Sequence, residues 1–332
     1  MKINSDHWET LANYESTDLV KRQFQGRHGR ELNTGKAQEI CAAFTQARGY
    51  MEAAKSADRI VRPLLVYYGI LSLSRGVTLF LSTTLREAGL AQAHGLSVQN
   101  WNDELSRSND GIAPLRIKLN AKGTFRQLVQ ATGHRSYLRN NSSRANYTVT
   151  CEMPPAGAEV ALGDVMSRLP EIRTTYRRWR DDRCTVRIWP QQRRSDGRME
   201  VRVDPPDTME DVQAVFGDEW PLVDQSGGVI TILAPLEATI PILSDVNERW
   251  NIGSLVAMTL MPGRLELSKI SLAFVMSYAL GMIVRYYPSH WIAMLHNQLN
   301  DGAVPSLLAA LKHVEEDFPR FVVEFLEPPE GL

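Results

Sequence analysis

Between Lys269 and Arg285 lies the feature that most constrains the fold: fifteen residues, Ile270–Val284, without a single charge. A bilayer span needs about 20 apolar residues, and this run also carries Ser271, Ser277 and Tyr278. It therefore reads as a helix buried in a protein core. Ala273, Ser277 and Gly281 recur every four residues along one ridge, which lets another helix backbone approach closely. Arg285 is the next step on that ridge. Pro288 lacks an N–H and pushes Tyr287 away from helical angles. One helix should end near Arg285, and a second should run from Pro288 to about Leu299. A cation suits the C-terminus of the first, and the first turn of the second favours a neutral imidazole at His290.

The other elements follow from spacing. Ile40, Phe44, Ala47, Met51 and Ala54 form one face of a helix over 35–56, with Thr34 as its N-cap. Leu64–Ala88, entered through Pro63, is apolar nearly all round and should be central. Its Arg75 needs a partner, with Glu52 or Glu39 expected. Strands are expected over 112–119, 146–153, 185–190, 199–204 and 228–233, with turns at 195–197 and 226–228. Short helices are expected over 124–131, 162–178 and 209–215. From about Ile240 the chain should be helical again, closing with a helix from Pro305 to about Val314. The expected class is α+β, mainly helical. N-terminal (1–110) and C-terminal (236–332) helical parts pack together, with a β-containing, Arg-rich insert (111–235) between them.

Charge is unevenly spread. Residues 1–202 carry a balance of +11 and residues 203–332 one of −12. The halves could serve each other, or separate partners of opposite sign. Cys41, Cys151 and Cys184 are odd in number and widely spaced, which argues against a disulfide frame or a zinc site. The opening MKINSDHWET lacks the apolar core of a secretory leader, so a cytoplasmic protein without membrane attachment is expected. Gly29–Lys36 has the wrong spacing for a phosphate-binding P-loop, and Ala37 stands where Ser or Thr is needed. No GxSxG, HExxH or GxGxxG occurs, and no cofactor is expected.

Several groups of residues, in order, resemble the YaaC-like family of bacterial proteins. They are Trp8 with Leu11 and Tyr14, Pro63-Leu64-Leu65 leading to Tyr67-Tyr68-Gly69, and His94-Gly95-Leu96. Then come Gly123-Thr124-Phe125 with Leu128, Ser277-Tyr278, Arg285-Tyr286-Tyr287-Pro288 and Trp291. The Arg-rich stretch Arg168–Arg202 lies outside these motifs. The resemblance implies a bacterial cytosolic protein of a family without a settled reaction.

A looser likeness, to the helical HEPN superfamily, rests on Tyr67-Tyr68 followed by Arg75 on one helix, on His94-Gly95 in the loop after it, and on Arg285–His290, which has an Arg-x4-His spacing. Many members of that superfamily are metal-independent RNases that act as dimers. The likeness implies that Arg285 would hold a phosphate and His290 would move the proton of an attacking 2′-hydroxyl. Pro288, inside the motif, departs from the pattern. A second candidate is the Arg-rich stretch, eleven arginines interleaved with Tyr176, Trp179 and Trp189. Arginine with aromatics suits phosphate contact and base stacking. Arg173, Arg177, Arg178, Arg180, Arg187, Arg193 and Arg194 are the expected contacts to RNA or DNA, or to an acidic protein surface. Three functions are expected from these features: a nucleic-acid-associated or interaction protein, an RNase using Arg285 and His290 in toxin or defence work, and a structural subunit docking through the insert. A homodimer would fit the second. Tyr67 and Tyr68 read as core residues, and His94 as a cap on helix carbonyls.

Overall fold

A computed structural model describes residues 4–106, 111–235, 242–246, 253–299 and 301–328. Residues 110, 236 and 240, where expected segments meet, lie outside that description. The protein is a mainly helical α+β fold. Its first helices are α1 (Asn4–Ala12), α2 (Thr17–His28), α3 (Thr34–Ser56) and α4 (Arg62–Leu81). The middle of the chain holds β1 (Leu96–Gln99), α5 (Trp101–Ser106), β2 (Arg116–Leu119), α6 (Thr124–Ala131), β3 (Arg135–Leu138), β4 (Tyr147–Thr150) and β5 (Glu159–Ala161). It continues with α7 (Leu162–Met166), α8 (Arg173–Trp179), β6 (Thr185–Arg193), β7 (Met199–Val203), α9 (Met209–Phe216), β8 (Leu222–Ser226) and β9 (Val229–Leu233). The last elements are β10 (Ile242–Val246), β11 (Ser254–Met258), α10 (Lys269–Tyr286), α11 (Pro288–Leu295) and α12 (Val304–Leu326).

The uncharged run is the middle of the fold. Every residue of α10 from Lys269 to Val284 is buried. Helices α10 and α4 are both long and apolar enough to cross a bilayer, yet 89% and 67% of their apolar windows are buried within the chain, as core helices are. The small-residue ridge does what its spacing predicts. A Cβ added at Gly281 would stand 2.9 Å from the Cβ of Tyr67, so α4 can lie against α10 only because residue 281 has no side chain. On its other side α4 meets α3, where Gly76 admits the ring of Phe44. One apolar core joins these helices with α12 and with the small antiparallel sheet β1–β2–β5.

A second core belongs to a six-stranded antiparallel sheet, ordered β10–β11–β6–β7–β9–β8, with α9 packed on it. The expected turns are its hairpins, with Gly197, Gly227 and Gly228 in the left-handed region. Where the two cores meet, charge replaces hydrocarbon. Asp245 of β10 receives Lys269 of α10 and the backbone N–H of Arg139, while Arg139 pairs with Glu324 of α12. Arg320 bridges Asp317 and Glu324 on α12. These side chains are largely buried, so each depends on the others for its solvation.

Several expectations are corrected. The segment after residue 240 is not helical at 242–246 and 254–258. It supplies two strands, and all five residues of β11 are buried, so no alternation marks it. Helix α4 stops at Leu81 rather than Ala88, as Ser82 turns extended and its carbonyl accepts from the buried Lys36 ammonium. The chain then brings Arg86 onto Glu39 at 2.7 Å, and Arg75 makes no ion pair among the described residues. Asn33, not Thr34, caps α3, accepting the Lys36 N–H at 2.8 Å. Residues 162–178 are not one helix but α7, a 3-10 turn and α8. Helix α12 continues through Pro319 to Leu326, held by the burial of Phe318, Phe321, Val322 and Phe325.

Candidate functional site

Three separated segments place polar side chains at one corner of the helical body. Tyr67 and Tyr68 come from the start of α4, and Tyr278, Arg285 and Tyr286 from the end of α10. His94 comes from the loop before β1. That loop is pinned by a backbone crossing. A Cβ at Gly123 would stand 2.2 Å from the Cα and N of Gly95, and both glycines have positive φ, 131° and 84°. Only paired glycines allow the Thr124 and Phe125 N–H groups to bond the Ala93 and His94 carbonyls, both at 2.9 Å. The consequence is a fixed His94.

Within the corner, the Tyr67 hydroxyl and His94 Nδ1 are 2.6 Å apart. Tyr67 is fully buried, and burial pushes its phenol well above the usual range. Burial also pushes the His94 pKa down, and the nearby Arg285 charge adds to that. The ring is therefore neutral at ordinary pH. Among the described residues His94 Nδ1 is the one hydrogen-bond partner of the buried Tyr67 hydroxyl, and we assign the phenol as the donor. The proton of the neutral ring then sits on Nε2, which makes His94 a donor toward any ligand. Tyr278 stacks edge-on to Tyr67, gives its hydroxyl to the Leu96 carbonyl at 3.2 Å, and is pushed by burial up to about 12.

Arg285 donates to the Tyr68 hydroxyl at 3.1 Å and lies 5.0 Å over the ring of Tyr286, which is 55% exposed. No carboxylate pairs with Arg285 among the described residues. His290 sits in the first turn of α11, its ring 6.3 Å from that of Tyr287, and its Nδ1 is buried without a hydrogen-bond partner. No hydrogen bond joins Arg285 to His290. The Arg-x4-His spacing thus spans the Tyr287 corner, while the histidine whose pKa Arg285 lowers is His94. Spacing within one segment could not reveal this. The four-residue step from Gly281 to Arg285 could have, because it puts Arg285 beside whatever helix the small ridge admits.

The Arg-rich stretch is occupied differently. Arg173 and Arg177 pair with Asp207, and Arg177 also with Asp211 at 2.8 Å. Arg180 pairs with Asp182, and Arg194 with Glu200 at 2.6 Å. The Arg187 backbone N–H is held by Asp207 at 2.9 Å. Arg178 and Arg193 are exposed and meet no carboxylate among the described residues. Trp189 is covered by Arg202, and Trp179 packs edge-on to Tyr176. Part of the charge asymmetry is also met internally, by Arg62 with Glu315, Arg139 with Asp245 and Glu324, and Arg177 with Asp211. Among the described residues no cluster of His, Cys, Asp and Glu is set to hold a metal.

Residues 9–219 and 241–326 match the family model of the YaaC-like proteins. The chain belongs to the YaaC-like family. No curated protein and no solved structure matches it. The match runs through the Arg-rich stretch, so that stretch is part of the YaaC-like chain. The motif residues Tyr67, Tyr68, His94, Gly95, Gly123, Tyr278 and Arg285, scattered over more than two hundred positions of the sequence, are the ones this YaaC-like fold gathers at one corner.

Proposed function

We propose that this YaaC-like protein associates with single-stranded nucleic acid, RNA first, at the Arg285 corner. The observation that carries the reading is Arg285 itself: an exposed guanidinium with no carboxylate partner among the described residues, set over the exposed ring of Tyr286 and beside the neutral His94. A guanidinium and an imidazole N–H suit a phosphate, and an exposed aromatic ring suits a base. In the tautomer argued above His94 offers a proton and does not accept one, so this corner favours binding over cleavage by His94. Cleavage would need another base, for which His290 is the candidate.

Fluorescent single-stranded RNA should bind the full chain at low salt and weaken steeply as salt rises. Arg285→Ala and Tyr286→Ala should each weaken it by about tenfold, roughly 1.4 kcal/mol. Failure of both RNA and DNA to bind at low salt ends the reading. Metal-free RNA cleavage that is lost in His290→Ala would instead establish the HEPN-like RNase. A structural role for the insert is favoured by one observation, the pairing of Arg173, Arg177, Arg180 and Arg194 with carboxylates of the same chain.

A further inference from the structure

The arginines of the insert do not form an open stripe, but three of them line a cavity. It lies between α8 and the strands β6 and β10, where the helical body meets the large sheet, and measures about 500 Å³. Arg173, Arg177 and Arg187 form its charged wall, Thr174 its lip, and Pro206 and Val246 an apolar side. All three arginines are tied to one buried carboxylate. Asp207 pairs with the guanidinium groups of Arg173 and Arg177 and accepts the Arg187 backbone N–H. Asp211, also buried, fixes Arg177 from a second side. The forks of Arg173 and Arg177 are therefore held in place before any ligand arrives, which reduces the entropy lost on binding, while Arg187 is anchored through its backbone. Glu171, which also borders the cavity, is engaged by His313 at 3.5 Å.

We infer that this cavity binds a small phosphorylated ligand of the nucleoside diphosphate class. Arginine forks match phosphate oxygens in pairs. The volume falls within the range of about 300–1,000 Å³ typical of small-molecule sites. A lone phosphate would leave most of it to water. The apolar side formed by Pro206 and Val246 suits the flat face of a base, and the exposed Thr174 supplies a hydroxyl at the entrance. The site is independent of the Arg285 corner.

Calorimetry with ADP, GDP, CDP and UDP on the full chain tests this. At least one should bind, adenosine should not, and pyrophosphate should bind more weakly than the preferred diphosphate. Thr174→Phe fills the entrance from an exposed position and should weaken binding by at least about tenfold. Arg187→Met should do the same, whereas Arg285→Ala should leave this binding unchanged. The inference is overturned if none of the four diphosphates binds at up to about 1 mM. It is equally overturned if Thr174→Phe, shown to be folded by near-UV circular dichroism, binds as wild type does, or if pyrophosphate binds as tightly as every diphosphate.

Discussion

Arg285 on the helical body and Arg177 beside the sheet carry the same guanidinium into opposite surroundings. Arg285 ends a helix, meets a phenol and a ring, and faces water. Arg177 lies between two buried aspartates. By composition the second region looked the more basic, yet most of its charge is already answered within the chain. An arginine-rich sequence marks an electrostatic footprint only where the chain does not supply the counter-charge. The sparse corner is the better candidate for a polyanion, and the crowded one is suited to a small ligand that fits among fixed forks.

The contrast can be broken most severely at the junction of the two cores. Asp245→Ala leaves Lys269 and Arg139 buried with a lost partner and should cost about 3–5 kcal/mol in denaturant unfolding. A loss well under that would mean that the junction is not a determinant of stability. Gly281→Leu drives a side chain into Tyr67 and should cost about 1–3 kcal/mol. It should also disturb the Tyr67–His94 pair, so RNA binding should fall along with stability. A variant that keeps binding would separate the corner from the helix packing beneath it.

A smaller effect is expected of His313, and its sign is fixed. Burial pushes its pKa down, but Glu171 and Asp317 outweigh that and hold it above its ordinary 6.5, while Arg320 opposes them. A raised folded value means that the stabilisation is complete below about pH 6.5 and fades as pH climbs through the folded value. The stability gap between wild type and His313→Gln should therefore be widest in mild acid and close toward alkaline pH. A gap that widens with pH would contradict the assignment. The smallest effect belongs to Arg180→Ala. Its pair with Asp182 is 40% and 42% exposed, and its loss should change stability by no more than about 0.5 kcal/mol.

The helix–proline–helix corner was legible because an uncharged run and Pro288 are strong local signals. The strands β10 and β11 were not: β11 is buried on both faces and shows no alternation, and β10 is a five-residue run broken by Ser244 and Asp245. The full length of α12 was hidden by Pro319, whose helix-breaking tendency yields here to burial of the residues around it. The motif residues of the corner were visible one by one, but Tyr67 and Tyr68 read as packing and His94 as a cap on helix carbonyls. Their convergence depends on Gly281 and on the Gly95–Gly123 crossing, contacts between segments far apart in sequence.

The pairing of the first helices with the last has a further consequence, for the order of assembly. Helix α12 supplies Glu315 to Arg62, and its Leu326 carbonyl accepts from Arg27 across 299 positions. On the ribosome, the sheet over residues 185–258 can close while α12 is still being made, whereas α1–α4 must wait with apolar faces uncovered. Early helices of this kind are natural clients for chaperones, and truncations within α12 should yield chains that aggregate although their sheet is intact.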